Sequence, residues 1–475
     1  MTKRVSVSHP VPQPLADLAA LLAVGLFLLV SPAFAAEPKL TLKKGDHIAY
    51  IGNTLADRMQ HDGWLETYIH AIHPEHDLTF RNLAVPGDEL KLRPREDNFG
   101  SPDDWLGKVR ADVVFCFFGY NEALKGEAAL DTFRQDLRDV IDGMRQQTYD
   151  GKAAPELVFF SPIAHENLKN RHLPDGSANN RNLALYTHAM EEVCRSASVV
   201  FVNLFDPTQK LYQTADSPLT MNGIHLLPHG GRAVAEVVVK DLFAAASITK
   251  SEQELQRLRK AVLEKNYEWF SRYRVVDGYN VFGGRSKLAW FGQSNADVMM
   301  REMEIFDVKA ANREKGIWAM ARGGDLEVRD DNLPDELAVQ TNKPGDLADG
   351  SYTYLDGKEA IQKMTLAEGM QANLFADEKM FPELVNPVQM AVDPNGRLFV
   401  SVWPSYPHWN PTEPRRDRII CLPDDDGDGV ADRCVIFADH LNSVTSFELW
   451  NGGMIVAALP EVWFLNDTDG DLKAD

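Results

Sequence analysis

The sequence predicts an α/β protein: a three-layer, doubly wound parallel sheet, then a helical connector and an incomplete β-propeller. Three observations predict it. Between residues 45 and 245, five apolar runs rich in β-branched and aromatic residues alternate with segments of helical period, the pattern of strands crossing over through helices into one parallel sheet. From about residue 365 the period changes to two. A twelve-residue acidic motif, first met at Cys421, returns 43 residues later at Phe464, the spacing of one propeller blade. A chain of 475 residues exceeds what one core serves (about 250), so two or three domains are expected.

Composition narrows the functions. Hydrophobic residues make up 44% and charged residues 25%, which suits a folded chain and not a disordered one. With 49 Lys plus Arg against 70 Asp plus Glu, the formal charge is -21. Nucleic acid is therefore not an expected partner, because its affinity comes largely from Lys/Arg contacts to phosphate. The four cysteines, Cys116, Cys194, Cys421 and Cys434, form no C-x-x-C pair, which excludes a Cys-rich zinc site and c-type haem attachment. Cys421 and Cys434 bracket one loop and are candidates to pair; Cys116 lies in an apolar run and reads as a buried thiol.

Residues 1–35 read as a signal peptide. Lys3 and Arg4 precede the apolar run Leu18–Val30, and Ala33 and Ala35 mark a cleavage site before Ala36. The run is short for a membrane span of about 20 residues, and no other stretch reaches that length. The mature chain is expected to be exported, periplasmic or extracellular, with no membrane span after signal cleavage.

The domain at 36–245 takes its strands from His47–Gly52, Leu78–Leu83, Ala111–Gly119, Glu156–Ser161 and Ser198–Phe205, with helices at Leu130–Met144 and Asn182–Arg195 among the segments between them. In such sheets ligands gather outside the carboxyl ends of the strands. Those tips read Gly52-Asn53-Thr54, then Asn82 through Ala84 and Gly87 to Asp88, then Gly119-Tyr120-Asn121-Glu122; Asn222-Gly223-Ile224-His225 follows near the domain's end. His165-Glu166 comes after the fourth strand and is placed to line a cleft. His61, His70, His73 and His76 read as a helix surface.

Taken together, the four tips resemble the SGNH (GDSL-type) hydrolases, and Asn182–Asp206 looks like their carbohydrate-esterase branch. The resemblance implies Thr54 at the place of the nucleophilic Ser and Asn53 at that of the family's Asp. It implies Ala84 as a backbone N–H donor in place of Gly, Asn121 as the oxyanion Asn, His225 as the base, and Asn222 where the acid stands. Asn53, Gly87 and His165 are the expected substrate contacts. A threonine can attack a carbonyl, but its methyl crowds it and stiffens χ1. An asparagine can orient an imidazole yet cannot offset the charge the ring acquires. Asp57, Asp88 and Glu122 are the candidate carboxylates for folding to bring near. Two readings follow: an esterase acting on a small-molecule or polysaccharide ester, with acylated carbohydrate expected, by Thr-His acyl transfer; or a catalytically inactive glycan-binding module.

Residues 246–365 carry few chemical signals. Ser251-Glu-Gln-Glu254 reads as a capping box opening an amphipathic helix to about Arg272, whose mixed charges suggest a solvated face. Val298–Gly324 looks helical, and Asp325–Tyr354 reads as an exposed linker.

Residues 366–475 read as short strands, beginning with a strand, Asn-Gly turn and strand over Val388–Ser401. Each acidic repeat spells D-x-D-G-D-x-x-x-D, from Asp424, Asp426, Asp428 and Asp432, then Asp467, Asp469, Asp471 and Asp475. Alternate carboxylates on a glycine-bent loop offer the all-oxygen shell Ca²⁺ prefers; Val435 at the twelfth position excludes an EF-hand. The segment resembles the opening of membrane-bound-dehydrogenase-type (PQQ-dehydrogenase-like) propellers, found in PVC-type haem-binding multidomain proteins. Two or so blades hold no complete quinone site, and no haem motif is present. Structural Ca²⁺ is the expected cofactor.

Overall fold

The computed structural model describes residues 39–475 except 96–97, 245–247, 276–277, 340–344, 346, 349–350 and 408–412; the expected signal peptide lies outside the described residues. Among them no helix is long and apolar enough to cross a membrane.

Five strands, β1 (His47–Gly52), β2 (Thr79–Asn82), β3 (Val113–Phe117), β4 (Glu156–Phe160) and β5 (Val200–Val202), form one sheet in the order β2-β1-β3-β4-β5, parallel throughout. The inner strands β1, β3 and β4 are apolar over nearly their whole length because both faces are covered. Ile48 and Tyr50 of β1 join Phe115 and Phe117 of β3 in one core, while Ala49, Ile51, Val114 and Cys116 face a second. Over the first core lie helices α1 (Thr54–Asp62), α2 (Trp64–Ile72) and α8 (Pro228–Phe243). Over the second lie α3 (Pro102–Lys108), α5 (Leu130–Arg145) and α6 (Ser177–Ser196); the short α4 (Tyr120–Ala123) and α7 (Phe205–Thr214) complete the layers. The histidine series is not a helix surface throughout: His70 is buried beside Glu66, 3.7 Å away, and against Phe80.

The connector differs from its sequence reading. Helices α9 (Glu252–Tyr273) and α10 (Asn295–Ala321) form at the expected places, but they are a wall of the first domain. Ser251 caps α9 through the expected box. From α9, Trp269 Nε1 donates to the Asn82 carbonyl (2.8 Å) and Tyr273 OH to that of Leu83 (3.0 Å). From α10, Trp318 Nε1 donates to the Leu78 carbonyl at 2.8 Å, and Glu314 pairs with Arg81. β2 is an edge strand, and covering its end removes an exposed edge. Mixed charge did not make α9 a solvated helix, because Lys265 is buried against Glu66 of α2.

The C-terminal region holds two antiparallel sheets. Strands β6 (Pro387–Val392), β7 (Leu398–Val402), β8 (Asp417–Leu422) and β9 (Val435–Leu441) pair in the order β9-β8-β7-β6; β10 (Val444–Trp450), β11 (Gly453–Ala458) and β12 (Glu461–Leu465) form the second. Gln389 joins the sheets, its amide donating to and accepting from the Phe447 backbone at 2.8 and 2.9 Å. The described strands form two neighbouring sheets and close no ring. Cys421 and Cys434 are both free thiols, each pushed up to about 11 by burial.

Candidate active site

The tips of β1 and β3 approach closely because Gly52 ends the first strand. Its φ is +126°, and a Cβ there would fall 2.0 Å from the Phe117 carbonyl oxygen, so only glycine fits. The next amide, Asn53 N–H, donates to that same oxygen at 3.0 Å. Asn53 then caps α1, its Oδ1 accepting from Leu55 N–H at 3.1 Å, as N-cap asparagines do. Thr54 is thereby the first residue of the helix, half-buried. Positive potential from the helix N-terminus surrounds its hydroxyl.

Glu122 fixes the second tip. It accepts from Gly119 N–H and Leu90 N–H, both at 2.9 Å, and holds α4 so that Asn121 reaches the cavity. The Asn121 amide has only a long 3.5 Å contact, to the Asp88 carbonyl, too long to satisfy it. The third tip is built by Glu166, which accepts from Thr220 N–H (2.8 Å) and from its hydroxyl (2.6 Å); Thr220 Oγ1 in turn accepts from Gly223 N–H at 2.9 Å. This turn presents His225. Asn222 Oδ1 accepts from the Ile224 and His225 amides at 3.3 and 3.0 Å. His225 Nδ1 lies 3.0 Å from Asn222 Oδ1 and 2.9 Å from its Nδ2.

These three tips enclose a cavity of about 170 Å³, lined by Asn53, Thr54, Arg58, Asn121, and His225, with Leu65, Phe118 and Ile163 among its apolar walls. It opens where strand order reverses, between β1 and β3, the switch point where such sheets bind ligands. Thr54 and His225 share it, although no hydrogen bond joins them and the Thr54 hydroxyl has no partner among the described residues. Burial, and then the charge of Arg58, hold the His225 imidazole below its usual 6.5. The ring is therefore neutral at pH 7, the form a base needs.

Other expected site residues are placed elsewhere. Ala84 is fully buried, and its N–H donates to Asn82 Oδ1 at 3.0 Å; it does not line the cavity, so its backbone donor is spent inside the loop. Gly87 sits in an exposed turn off the cavity, with φ +86°. His165 is buried behind the His225 turn, packed on Gly176 and Gly223; it shapes that turn instead of meeting a ligand. The three spare carboxylates are all engaged: Asp57 with Arg274 at 2.7 Å, Asp88 with Arg95 at 2.7 Å, and Glu122 with backbone amides. Among the described residues, no carboxylate reaches the His225 imidazole.

Two acidic or basic cavity residues escaped the sequence reading, Arg58 and Asp62. Asp62 accepts from Trp64 N–H at 2.9 Å, and burial raises its carboxyl to about 7. Their signal was spacing: Arg58 lies one helical turn after Thr54, and residues four apart share a helix face.

In the acidic loops, Asp424, Asp426 and Asp432 bring carboxylate oxygens within 4.8 Å of one another, as do Asp467, Asp469 and Asp475. Asp428 and Asp471 fall outside these groups and accept from Val430 N–H (2.8 Å) and Lys473 N–H (2.9 Å); the gathered carboxylates also take backbone amides, Asp424 from Gly427 N–H and Asp467 from Gly470 N–H, both at 2.7 Å. Six of the eight expected carboxylates thus gather, as two oxygen-only sets of three.

The fold thus brings a hydroxyl, an imidazole and an amide to the switch point of a parallel sheet. Residues 45–233 match the GDSL-like lipase/acylhydrolase family; this domain is of a class of hydrolases acting on ester bonds. Residues 356–475 match a domain of unknown function, DUF7133. Similar solved structures include Axe2, an acetylxylan esterase from Geobacillus stearothermophilus, at 13% identity, 45% of this chain, 100% of that chain and a TM-score of 0.35. Another is LAE5, an α/β hydrolase from the metagenome of Lake Arreo, Spain, at 13% identity, 42% of this chain, 96% of that chain and a TM-score of 0.33. No curated protein matches the chain.

Proposed function

We propose that the chain is an exported esterase that removes acyl groups from carbohydrate by Thr-His acyl transfer, with a triad lacking its acid. The gathering of Thr54, Asn121 and His225 around one cavity carries this reading. Thr54 Oγ1 attacks the ester carbonyl and its proton passes to His225 Nε2. Asn121 Nδ2 donates to the oxyanion that develops, with the α1 N-terminus adding positive potential. The carbon–oxygen bond to the sugar breaks and the alcohol leaves with the proton from His225. Water, deprotonated by the same imidazole, then attacks the acyl carbonyl; the bond to Thr54 Oγ1 breaks, the hydroxyl takes back the proton from His225, and the acid leaves.

The test is p-nitrophenyl acetate hydrolysis by the full chain beside Thr54→Ala, Thr54→Ser and His225→Ala. Hydrolysis by the parent, lost in both alanine variants, is the expected result. A silent parent with an active Thr54→Ser variant would support the second reading instead: a glycan-binding module that kept its cleft. The missing Thr54–His225 hydrogen bond favours that alternative.

The acidic loops suit Ca²⁺, which takes six to eight oxygen ligands. Three gathered carboxylates, with backbone carbonyls and water, supply such a shell. We expect millimolar Ca²⁺ to raise the melting temperature of the full chain, since an ion binding only the folded state stabilises it. Asp426→Ala should lose most of that rise, and a calcium-independent melting curve for the parent would remove the assignment.

A further inference from the structure

We propose that Arg58 anchors an oxyanion carried by the substrate, so that the esters taken by this cavity are acidic ones. The inference rests on the esterase reading of the same site and names its substrate class.

Arg58 lines the cavity one turn along α1 from Thr54. Among the described residues its guanidinium makes no ion pair within 4.0 Å and no hydrogen bond, and its Nε is buried without a partner. An arginine carries five N–H donors and a permanent charge. Arg58 is half-buried: its Nε is out of water without a partner, which costs free energy, while its other two nitrogens stay accessible to whatever enters the cavity.

Carboxylates are near in sequence, yet each is engaged elsewhere. Asp57, the preceding residue, pairs with Arg274 at 2.7 Å. Asp62, four residues on and on the same helix face, accepts from Trp64 N–H and packs against Gly231, where a Cβ would sit 2.2 Å from its Oδ2. Burial raises the Asp62 carboxyl to about 7 against the lowering charges of Arg259 and Arg58, so Asp62 is shared with a second arginine and forms no ion pair with Arg58.

The surroundings add to this positive character. The α1 N-terminus faces the cavity from one side, and Arg58 is close enough to His225 to disfavour its protonation. In a chain of formal charge -21, an acidic substrate meets general repulsion, and a local cation is what overcomes it. The planar guanidinium matches carboxylate or sulfate with two parallel hydrogen bonds. Arg58 shares a helix face and the cavity with Thr54, four residues before it. It therefore meets substrate close to the scissile bond, on either the acyl or the sugar side.

Paired esters distinguish those sides. On the full chain, kcat/KM is compared for 4-nitrophenyl hydrogen succinate against 4-nitrophenyl butyrate, and for acetylated methyl glucuronide against acetylated methyl glucoside. The acidic member of one pair should be preferred at least tenfold, mainly through KM. The succinate pair would place the anion on the acyl side and the glucuronide pair on the sugar side. Arg58→Gln should abolish the preference and Arg58→Lys should keep part of it. No preference in either pair, or a preference unchanged in Arg58→Gln, overturns the inference. Should the parent hydrolyse nothing, the esterase reading fails by itself, and calorimetric binding of succinate and methyl glucuronide against methyl glucoside decides for Arg58. Tenfold tighter binding of one acid, lost in Arg58→Gln, sustains the anchor; equal binding removes it. Melting curves guard against misfolding, since losing an unpaired cation should leave the melting temperature unchanged or higher. If Arg58→Gln does not fold, the decision passes to Arg58→Lys, whose shorter, fork-less cation should weaken the preference.

Discussion

Replacing Asn222 with aspartate is expected to raise the rate of ester hydrolysis by about 10²- to 10⁴-fold, the reverse of the loss seen when a triad aspartate becomes asparagine. The site is ready for the change. Asn222 Oδ1 already accepts from the Ile224 and His225 amides, and a carboxylate would keep both bonds. His225 Nδ1 lies almost equally far from the amide oxygen and nitrogen of Asn222, 3.0 and 2.9 Å. An asparagine therefore supports either neutral tautomer: one leaves a lone pair on Nε2, the other a proton there. Only the first accepts the Thr54 proton. A carboxylate would select that tautomer and offset the imidazolium as it forms. The pH profile supplies a second readout. In the parent, burial and Arg58 hold His225 below 6.5, so the acid limb of kcat/KM should lie below that pH. The new negative charge favours the imidazolium and should move the limb upward. An unchanged rate with an unmoved limb would show that His225 is not the base.

Replacing Lys265 with alanine should cost about 3–5 kcal/mol of stability, the range for breaking a buried ion pair from one side. Lys265 is 1% exposed, and its Nζ meets both Glu66 oxygens, at 2.9 and 3.0 Å, and the Phe80 carbonyl at 3.2 Å. Burial would raise the Glu66 carboxyl, but the Lys265 ammonium and His70 outweigh it and hold the group below its usual 4.5. Without Lys265 that charge is left buried with only His70, 3.7 Å away, beside it. For a cooperative unit of this size the loss corresponds to about 10 °C in melting temperature. The double variant Lys265→Met, Glu66→Leu removes both charges and should recover most of the loss. A single variant that melts with the parent would show that the pair carries no structural weight.

Much of the first domain was legible because its strands are buried on both faces. A run such as His47–Gly52 is apolar from Ile48 onward, and the strand observed has those same limits. The tips of β1 and β3 and the Asn222–His225 turn were legible for a related reason: loops at strand ends converge once strand order is known. Ala84 shows what such reasoning misses. Its position in the chain fits a donor, but the donor's direction depends on Asn82, two residues earlier, whose side chain takes the N–H. His165 was misplaced similarly, because the loop after β4 folds behind the His225 turn. Arg58 was overlooked because a charge on an amphipathic helix ordinarily points to water. The role of α9 was hidden for a tertiary reason: Lys265 and Glu66 lie 199 residues apart, and no local pattern announces such a partnership.

The family match ends at residue 233, yet the folded unit does not end there. Indole and phenol groups of α9 hold the backbone at the end of β2, and Arg274, after that helix, holds Asp57 on the helix that begins with Thr54. A stretch that looks like a tether between two modules is thus masonry for the first of them. Recombination that exchanged the front module at its apparent border would leave behind the wall against which α1 is set. Inheritance of the catalytic unit, in this chain, has to carry the helices through Ala321 along with the sheet.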